Sequence, residues 1–183
     1  MNGDAAKVMK NMISNIESKT KKDNKVPKKI RTGKRKIVKW EEFEYQVVEV
    51  TLLSKEEYME YRSGIPVLEH WWWLRSPGAD ARFETCVYPI NELYKHGQFV
   101  EDAYVHVRPA LKIKVTNPKT FTYIKCIKLL GMDWTVLDIF DDVIYLLCDE
   151  SLGCHVFDSN SNKWETSELK SWLEEEFNTK YLV

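Results

Sequence analysis

The sequence predicts an α+β domain: an antiparallel sheet with two flanking helices, preceded by a short helix and a basic arm. Three observations carry that expectation. From Phe43 to Glu150, short runs rich in β-branched and aromatic residues follow one another with polar or Pro/Gly breaks between them. Two segments, one after Ser54 and one after Thr166–Ser167, switch to helical spacing behind a capping residue. Charge is divided along the chain: residues 1–40 hold 13 Lys/Arg against three acids (+10), and the rest hold 14 against 25 (−11).

Taken in order, Val8, Met9, Met12, Ile13 and Ile16 fall on one side of a short N-terminal helix. A helix of about 15 residues is marginal alone in water, so it is expected to dock on the body, a twin chain or a partner. Lys19 to Lys39, KTKKDNKVPKKIRTGKRKIVK, has 11 basic residues with only Asp23 against them. Pro27, Gly33 and the lack of apolar periodicity make this segment a mobile arm. Residues 1–39 are therefore separated from one domain spanning 40–183.

Within that domain, FEYQVVEVTLL reads as a strand and SKEEYMEYR as a helix capped by Ser54, its first-turn Glu56 and Glu57 favoured by the dipole. HWWWLRSPG follows. Alternation along a strand sends Trp71 and Trp73 to one side and Trp72 to the other, where the helix layer or a loop is expected to meet it. ARFETCVYP, GQFVEDAYVHV, PALKIKV, TFTYIKCIKLL, WTVLDIF and DVIYLLCDE are strand-like, with Asp141 and Asp142 at a hairpin turn. DSNSNK is a polar loop. TSELKSWLEEEF is the last helix, with Leu169, Trp172, Leu173 and Phe177 as its buried stripe.

Several function classes have no support in this pattern. No run approaches the roughly 18 apolar residues of a membrane span, and the first residues lack a secretory apolar segment, so a cytoplasmic protein is expected. Cys86, Cys126, Cys148 and Cys154 sit in apolar, strand-like contexts and are expected to be free thiols. Cys148, Cys154 and His155 match no zinc-ligand spacing, and neither metal nor cofactor is expected. No phosphate loop, nucleophile elbow or HExxH is present. Cys86 lacks a recognisable base. His106, two residues before Arg108, is the one weak catalytic candidate, through acid–base cleavage of RNA.

WWWLRSPG and, after variable strands, VRPALKI (Val107 to Ile113) resemble the signature of an uncharacterised bacterial and phage domain family, a WWLRSPG-like strand followed by a GVRPAL-like strand. VEVTLLSKEEYMEYR is similar to the family's preceding strand and helix. LGMDWTVLDIFDDVIYLLCDE with NKWETSELKSWLEEEF resembles the family's other half, which normally comes first. The resemblance covers about Val47 to Phe177 in reversed order, implying a C-type-lectin-like domain that is circularly permuted at Asn117 to Thr120, or half-domains exchanged between chains. His106 stands where the family has glycine, Lys170 where it has arginine, and Glu174 where it has asparagine. The resemblance implies a scaffold and no chemistry. Trp71, Trp72, Trp73, Arg75 and Arg108 are then structural, the arginines reaching back to carbonyls or carboxylates to hold proline-containing turns.

The expected function is that of a non-enzymatic binding protein. Lys19, Lys21, Lys22, Lys25, Lys28, Lys29, Arg31, Lys34, Arg35, Lys36 and Lys39 would engage nucleic acid or a ribonucleoprotein in a sequence-tolerant way. Before Trp40 the arm has no aromatic on which a base could stack. An accessory protein of a phage or mobile element, such as an anti-CRISPR-like inhibitor of a nucleic-acid-guided nuclease, is one setting for it. The alternatives are a protein- or glycan-binding lectin-like module using loops near Asp80 and Tyr94, with the arm as a solubility tail, and an RNA-cleaving enzyme. A homodimer joined by the +10 arm and the −11 body is also expected.

Overall fold

The β-branched and aromatic runs become strands, and the two capped segments become helices. In the computed structural model, which describes residues 37–39, 44–116 and 124–180, the order is β1 (Ile37–Lys39), β2 (Tyr45–Thr51), α1 (Lys55–Tyr61), β3 (Trp72–Pro77), β4 (Phe83–Val87) and β5 (Leu93–Phe99). There follow β6 (Ala110–Val115), β7 (Cys126–Leu129), β8 (Met132–Phe140), β9 (Val143–Cys148), a 3-10 turn (Trp164–Thr166) and α2 (Glu168–Lys180). The architecture is α+β. One sheet runs β1-β7-β8-β9-β6-β2 and the other β3-β4-β5. All pairings are antiparallel except β1 with β7. His106 forms isolated backbone bridges, parallel with Trp72 of β3 and antiparallel with Cys154.

The local chemistry explains the boundaries. Ser54 accepts from the Glu57 amide (3.1 Å) while its own amide donates to the Glu57 carboxylate (2.7 Å), a reciprocal cap that starts α1. Ser167, rather than Thr166, caps α2 by accepting from the Lys170 amide (3.1 Å). Asp141 and Asp142 form the turn between β8 and β9, with Asp141 at φ 49. Asp158 organises the polar loop by accepting from the amides of Asn160 and Ser161, both at 2.8 Å.

Three expectations need correction. GQFVEDAYVHV is not one strand: β5 comprises Leu93–Phe99 and ends where Asp102 folds the chain, its amide donating to the Phe99 carbonyl and its carboxylate accepting from the Tyr104 amide. Tyr94 therefore lies on a strand and not in a loop. At the other end, Ile37–Lys39, read as the close of the mobile arm, are backbone-paired in parallel with Cys126, Ile127 and Lys128. Their β-branched residues extend the sheet three residues before Trp40.

Two buried clusters lie on opposite sides of the shared strands. From β9, Ile144, Leu146 and Cys148 enter the first, where Leu169, Leu173 and Phe177 of α2 cover them. Tyr145 and Leu147 enter the second, with Tyr58 of α1, Leu53 and Ile65. The tryptophan strand divides in the same way. Trp73 belongs to the first cluster with Trp71 half-buried against it, while Trp72 belongs to the second and meets Tyr58 edge-on at 5.6 Å. Each fully buried ring removes on the order of 200 Å² from water, worth about 5 kcal/mol before entropy is counted.

The arginine and the turn that follow those rings serve α1. Arg75 donates through Nε to the Leu52 carbonyl (2.8 Å) and through Nη2 to both Glu57 oxygens (2.9 Å each). Ser76 accepts from the Lys55 amide (2.9 Å). Gly78 closes the motif because a Cβ there would stand 2.5 Å from the His96 carbonyl oxygen. Arg108 is fully buried, donating to the carbonyls of Cys148 (2.7 Å) and Pro66 (2.9 Å), its guanidinium 5.1 Å from the centre of the Trp72 ring. It thus binds the end of β9 to the loop after α1.

Replacing Arg108 by lysine keeps the charge and loses the planar fork. The Arg108→Lys variant is expected to lose roughly 2–4 kcal/mol in urea unfolding, since charge-assisted hydrogen bonds of this kind are worth about 1.5–3 kcal/mol each. An unchanged midpoint would refute the assigned role.

Candidate functional site

The structure sorts the residues singled out in the sequence. Lys19, Lys21, Lys22, Lys25, Lys28, Lys29, Arg31, Lys34, Arg35 and Lys36, with the N-terminal helix, lie outside the described residues. Lys39 is on β1 opposite Lys128. Trp72, Trp73, Arg75 and Arg108 are consumed in packing, as described above. Cys86, Cys126 and Cys148 are buried free thiols. Cys154 is exposed rather than apolar in its surroundings, because its segment is an isolated bridge and not a core strand. Among the described residues, no group of three His, Cys, Asp or Glu could hold a metal ion.

His106 is drawn into a different constellation from the one its spacing to Arg108 implied. Its ring stacks on His70 at 4.0 Å between centres, with 3° between the planes, and its Nδ1 hydrogen-bonds Ser151 Oγ at 2.8 Å. Partial burial and then the neighbouring His70 charge hold His106 below the ordinary histidine pKa. It is therefore largely neutral at pH 7. Burial pushes the Cys86 thiol up to about 12, away from the thiolate form.

What the sequence reading missed is a connected run of accessible rings along the outer strand of the smaller sheet. Trp71 meets Tyr88 edge-on at 4.2 Å, Tyr88 meets Tyr94 at 5.0 Å, and Tyr94 meets His96 at 6.1 Å. His96 then meets Phe83 at 4.8 Å, Phe83 meets Phe99 at 4.4 Å, and the Arg82 guanidinium lies 5.8 Å from the Phe99 ring centre. His96 and Phe99 are exposed, Phe99 by 49%; Trp71, Phe83, Tyr88 and Tyr94 are half-buried.

The register explains why this run was hidden. Period-two alternation places Tyr94 and Phe99 on opposite sides of β5. The pairing slips between Glu84 and Cys86, so Tyr94 stands opposite Cys86 and Phe99 opposite Phe83. Gly97, at φ 88, occupies the slip, and any Cβ there would stand 2.5 Å from the Glu84 carbonyl oxygen. The aromatic density of RFETCVY and YKHGQF was the available signal. The bulge that joins them was not.

Behind this edge lies an uncommon group. Glu84 is fully buried, and neither carboxylate oxygen has a hydrogen-bond partner. Desolvation pushes it from an ordinary 4.5 to about 9, so it is a neutral acid at pH 7. Comparison with protein-family models, curated proteins and solved structures finds no match for this chain. The site therefore rests on its own geometry.

Glu84 yields a signed pH dependence. Between about pH 4.5 and 9 the unfolded chain has lost this proton while the folded one keeps it, so stability falls as pH rises, by about 1.4 kcal/mol per unit at most. Glu84→Gln is expected to remove that slope and to stabilise the protein at pH 8. Denaturant titrations at pH 5, 6.5 and 8 check this; parallel wild-type and variant curves would contradict it.

Proposed function

We propose that this protein is a non-enzymatic binding protein whose basic N-terminal arm engages nucleic acid or a ribonucleoprotein. The observation that carries the reading is how charge is divided along the chain. In the body, Arg75, Arg82, Lys112, Lys114, Lys128 and Lys170 each form an ion pair with a carboxylate, and Arg108 is buried on carbonyls. The net charge of +10 in residues 1–40, set against −11 in the remainder, leaves the arm as the part suited to a polyanion. Such contacts are sequence-tolerant because they address phosphates.

The body is proposed as a C-type-lectin-like scaffold with its halves in permuted order. In support, the two segments carrying the resemblance pair within one chain, β6 against β9 from Ala110–Leu147 to Lys114–Val143. Adjacent halves of this kind make a reordered connection inexpensive. An accessory role for a phage or mobile element, of the anti-CRISPR-like kind that blocks a nucleic-acid-guided nuclease, agrees with a small scaffold bearing a polyanion-binding arm. One observation favours a second reading, a glycan- or protein-binding module: the accessible rings from Trp71 to Phe99 also suit the apolar face of a sugar. A homodimer held by arm and body is the competing use of the same charge; sedimentation at low and high salt is expected to show it dissociating as screening rises.

Filter binding of tRNA and duplex DNA by the full chain is expected to weaken steeply with salt, close to one unit of log–log slope per neutralised phosphate. Replacing Lys28, Lys29, Arg31, Lys34, Arg35 and Lys36 together by serine should abolish binding and leave the unfolding transition in place. Equal retention by the neutralised chain would defeat the proposal.

A further inference from the structure

We propose that His70 and His106 form an acid-released latch at the approach to β3. Their rings lie 4.0 Å apart between centres and 3° from parallel. Two imidazoles can stack in this way while at most one of them carries a proton. An imidazole takes up a proton in mildly acid solution, and two like charges at that separation repel. The contact is therefore conditional on pH, whereas the tryptophan packing beside it is not.

The backbone decides which ring leaves. The His106 amide donates to the Trp71 carbonyl (2.8 Å), its carbonyl accepts from the Trp73 amide (3.0 Å), and its Nδ1 hydrogen-bonds Ser151 Oγ (2.8 Å). In the charged ring both nitrogens are donors. Nδ1 then gives its hydrogen to Ser151 Oγ, whose own hydrogen turns to the Gly153 carbonyl 3.3 Å away. His106 thus stays in place. His70 is exposed and stands between two fixed points, the Pro66 carbonyl held by Arg108 and the Trp71 carbonyl held by His106. Leu68 packs against the second cluster, so the part that moves is Glu69 and His70. Their release loosens the neighbour of Trp71, whose ring meets Tyr88 at 4.2 Å, and carries the effect of acid to the start of the ring run.

The groups around His106 set the direction of the effect. His70 faces it from the approach to β3, and Ser151 and the Cys154 backbone from the segment after β9. Trp71 and Trp73 bring no charge, and Arg108, two residues on, is turned to the carbonyls of Cys148 and Pro66. Glu69 and Glu150 adjoin the contacts in sequence and are exposed. Burial and then the His70 charge hold His106 below its ordinary 6.5. Below that ordinary value the unfolded chain binds a proton that the folded one resists, so this corner loses stability as pH falls through about 6.5.

Hydrogen exchange of the full-length chain, with rates corrected for the intrinsic effect of pH, reads the latch. The reporter is the His106 amide on the Trp71 carbonyl, and the reference is the Cys148 amide on the Pro109 carbonyl. From pH 7.5 to 5, protection of the reporter relative to the reference is expected to fall about 5-fold or more, the effect of two like charges about 4 Å apart even in water. His70→Phe keeps a ring that cannot be charged and is expected to abolish the fall. His70→Lys places a fixed cation there and is expected to lower the reporter's protection already at pH 7.5.

Equal relative protection at both pH values in the wild-type chain would overturn the proposal. An acid-induced fall of the same size in His70→Phe would overturn it too, by assigning the effect to another group. Circular dichroism checks that the two variants fold, and the wild-type comparison stands without them.

Discussion

A strand with large rings on both of its faces has no solvent side. Trp73 faces the α2 cluster and Trp72 faces the α1 cluster, and both are fully buried. Much of the architecture follows from meeting that demand twice. The shared strand β9 alternates its side chains between the two clusters, and each helix closes one of them. Arg108 is drawn inside because the second cluster contains carbonyl oxygens of Cys148 and Pro66 that need donors as well as an aromatic face that accepts a cation. Arg75 does the corresponding work at the rim, joining the strand after the tryptophans to the first turn of α1 through Glu57.

Holding so much of the body's positive charge in place has an electrostatic consequence. Lysines and arginines that neutralise neighbouring carboxylates add little to the outward field. The body is left with its acidic surplus, and the excess of positive charge resides before it in the sequence. Half of the aromatic run lies on β5, an edge strand of the smaller sheet. Rings at such an edge are only partly covered, which both protects the edge from pairing with another strand and leaves π-faces accessible.

Buried Glu84 is the feature the fold accommodates least well. A carboxyl with no hydrogen-bond partner is tolerated by keeping its proton, and this makes the region behind the aromatic run sensitive to alkali. The close approach of Gly97 to the Glu84 backbone ties the same residue to the bulge that sets the ring spacing. The buried acid and the accessible rings are thus two consequences of one irregular strand pair.

By itself, the amino-acid sequence determined whatever depends on neighbours along the chain. The α+β class, the cap of α1 by Ser54, the turn at Asp141–Asp142, the α2 stripe and the opposed directions of Trp72 and Trp73 all rest on local spacing, and all are present in the fold. The partners of Arg75 and Arg108 were legible as a type, carbonyl or carboxylate, though not as Glu57, Cys148 and Pro66. Tertiary structure alone decided that Ile37–Lys39 join a sheet, that His106 stacks on His70, and that six rings from separate segments form one run. Those outcomes depend on strand pairing and on a single register slip at Gly97. The two residues that β5 gains on β4 across the Gly97 bulge set which rings meet, and no local pattern encodes them.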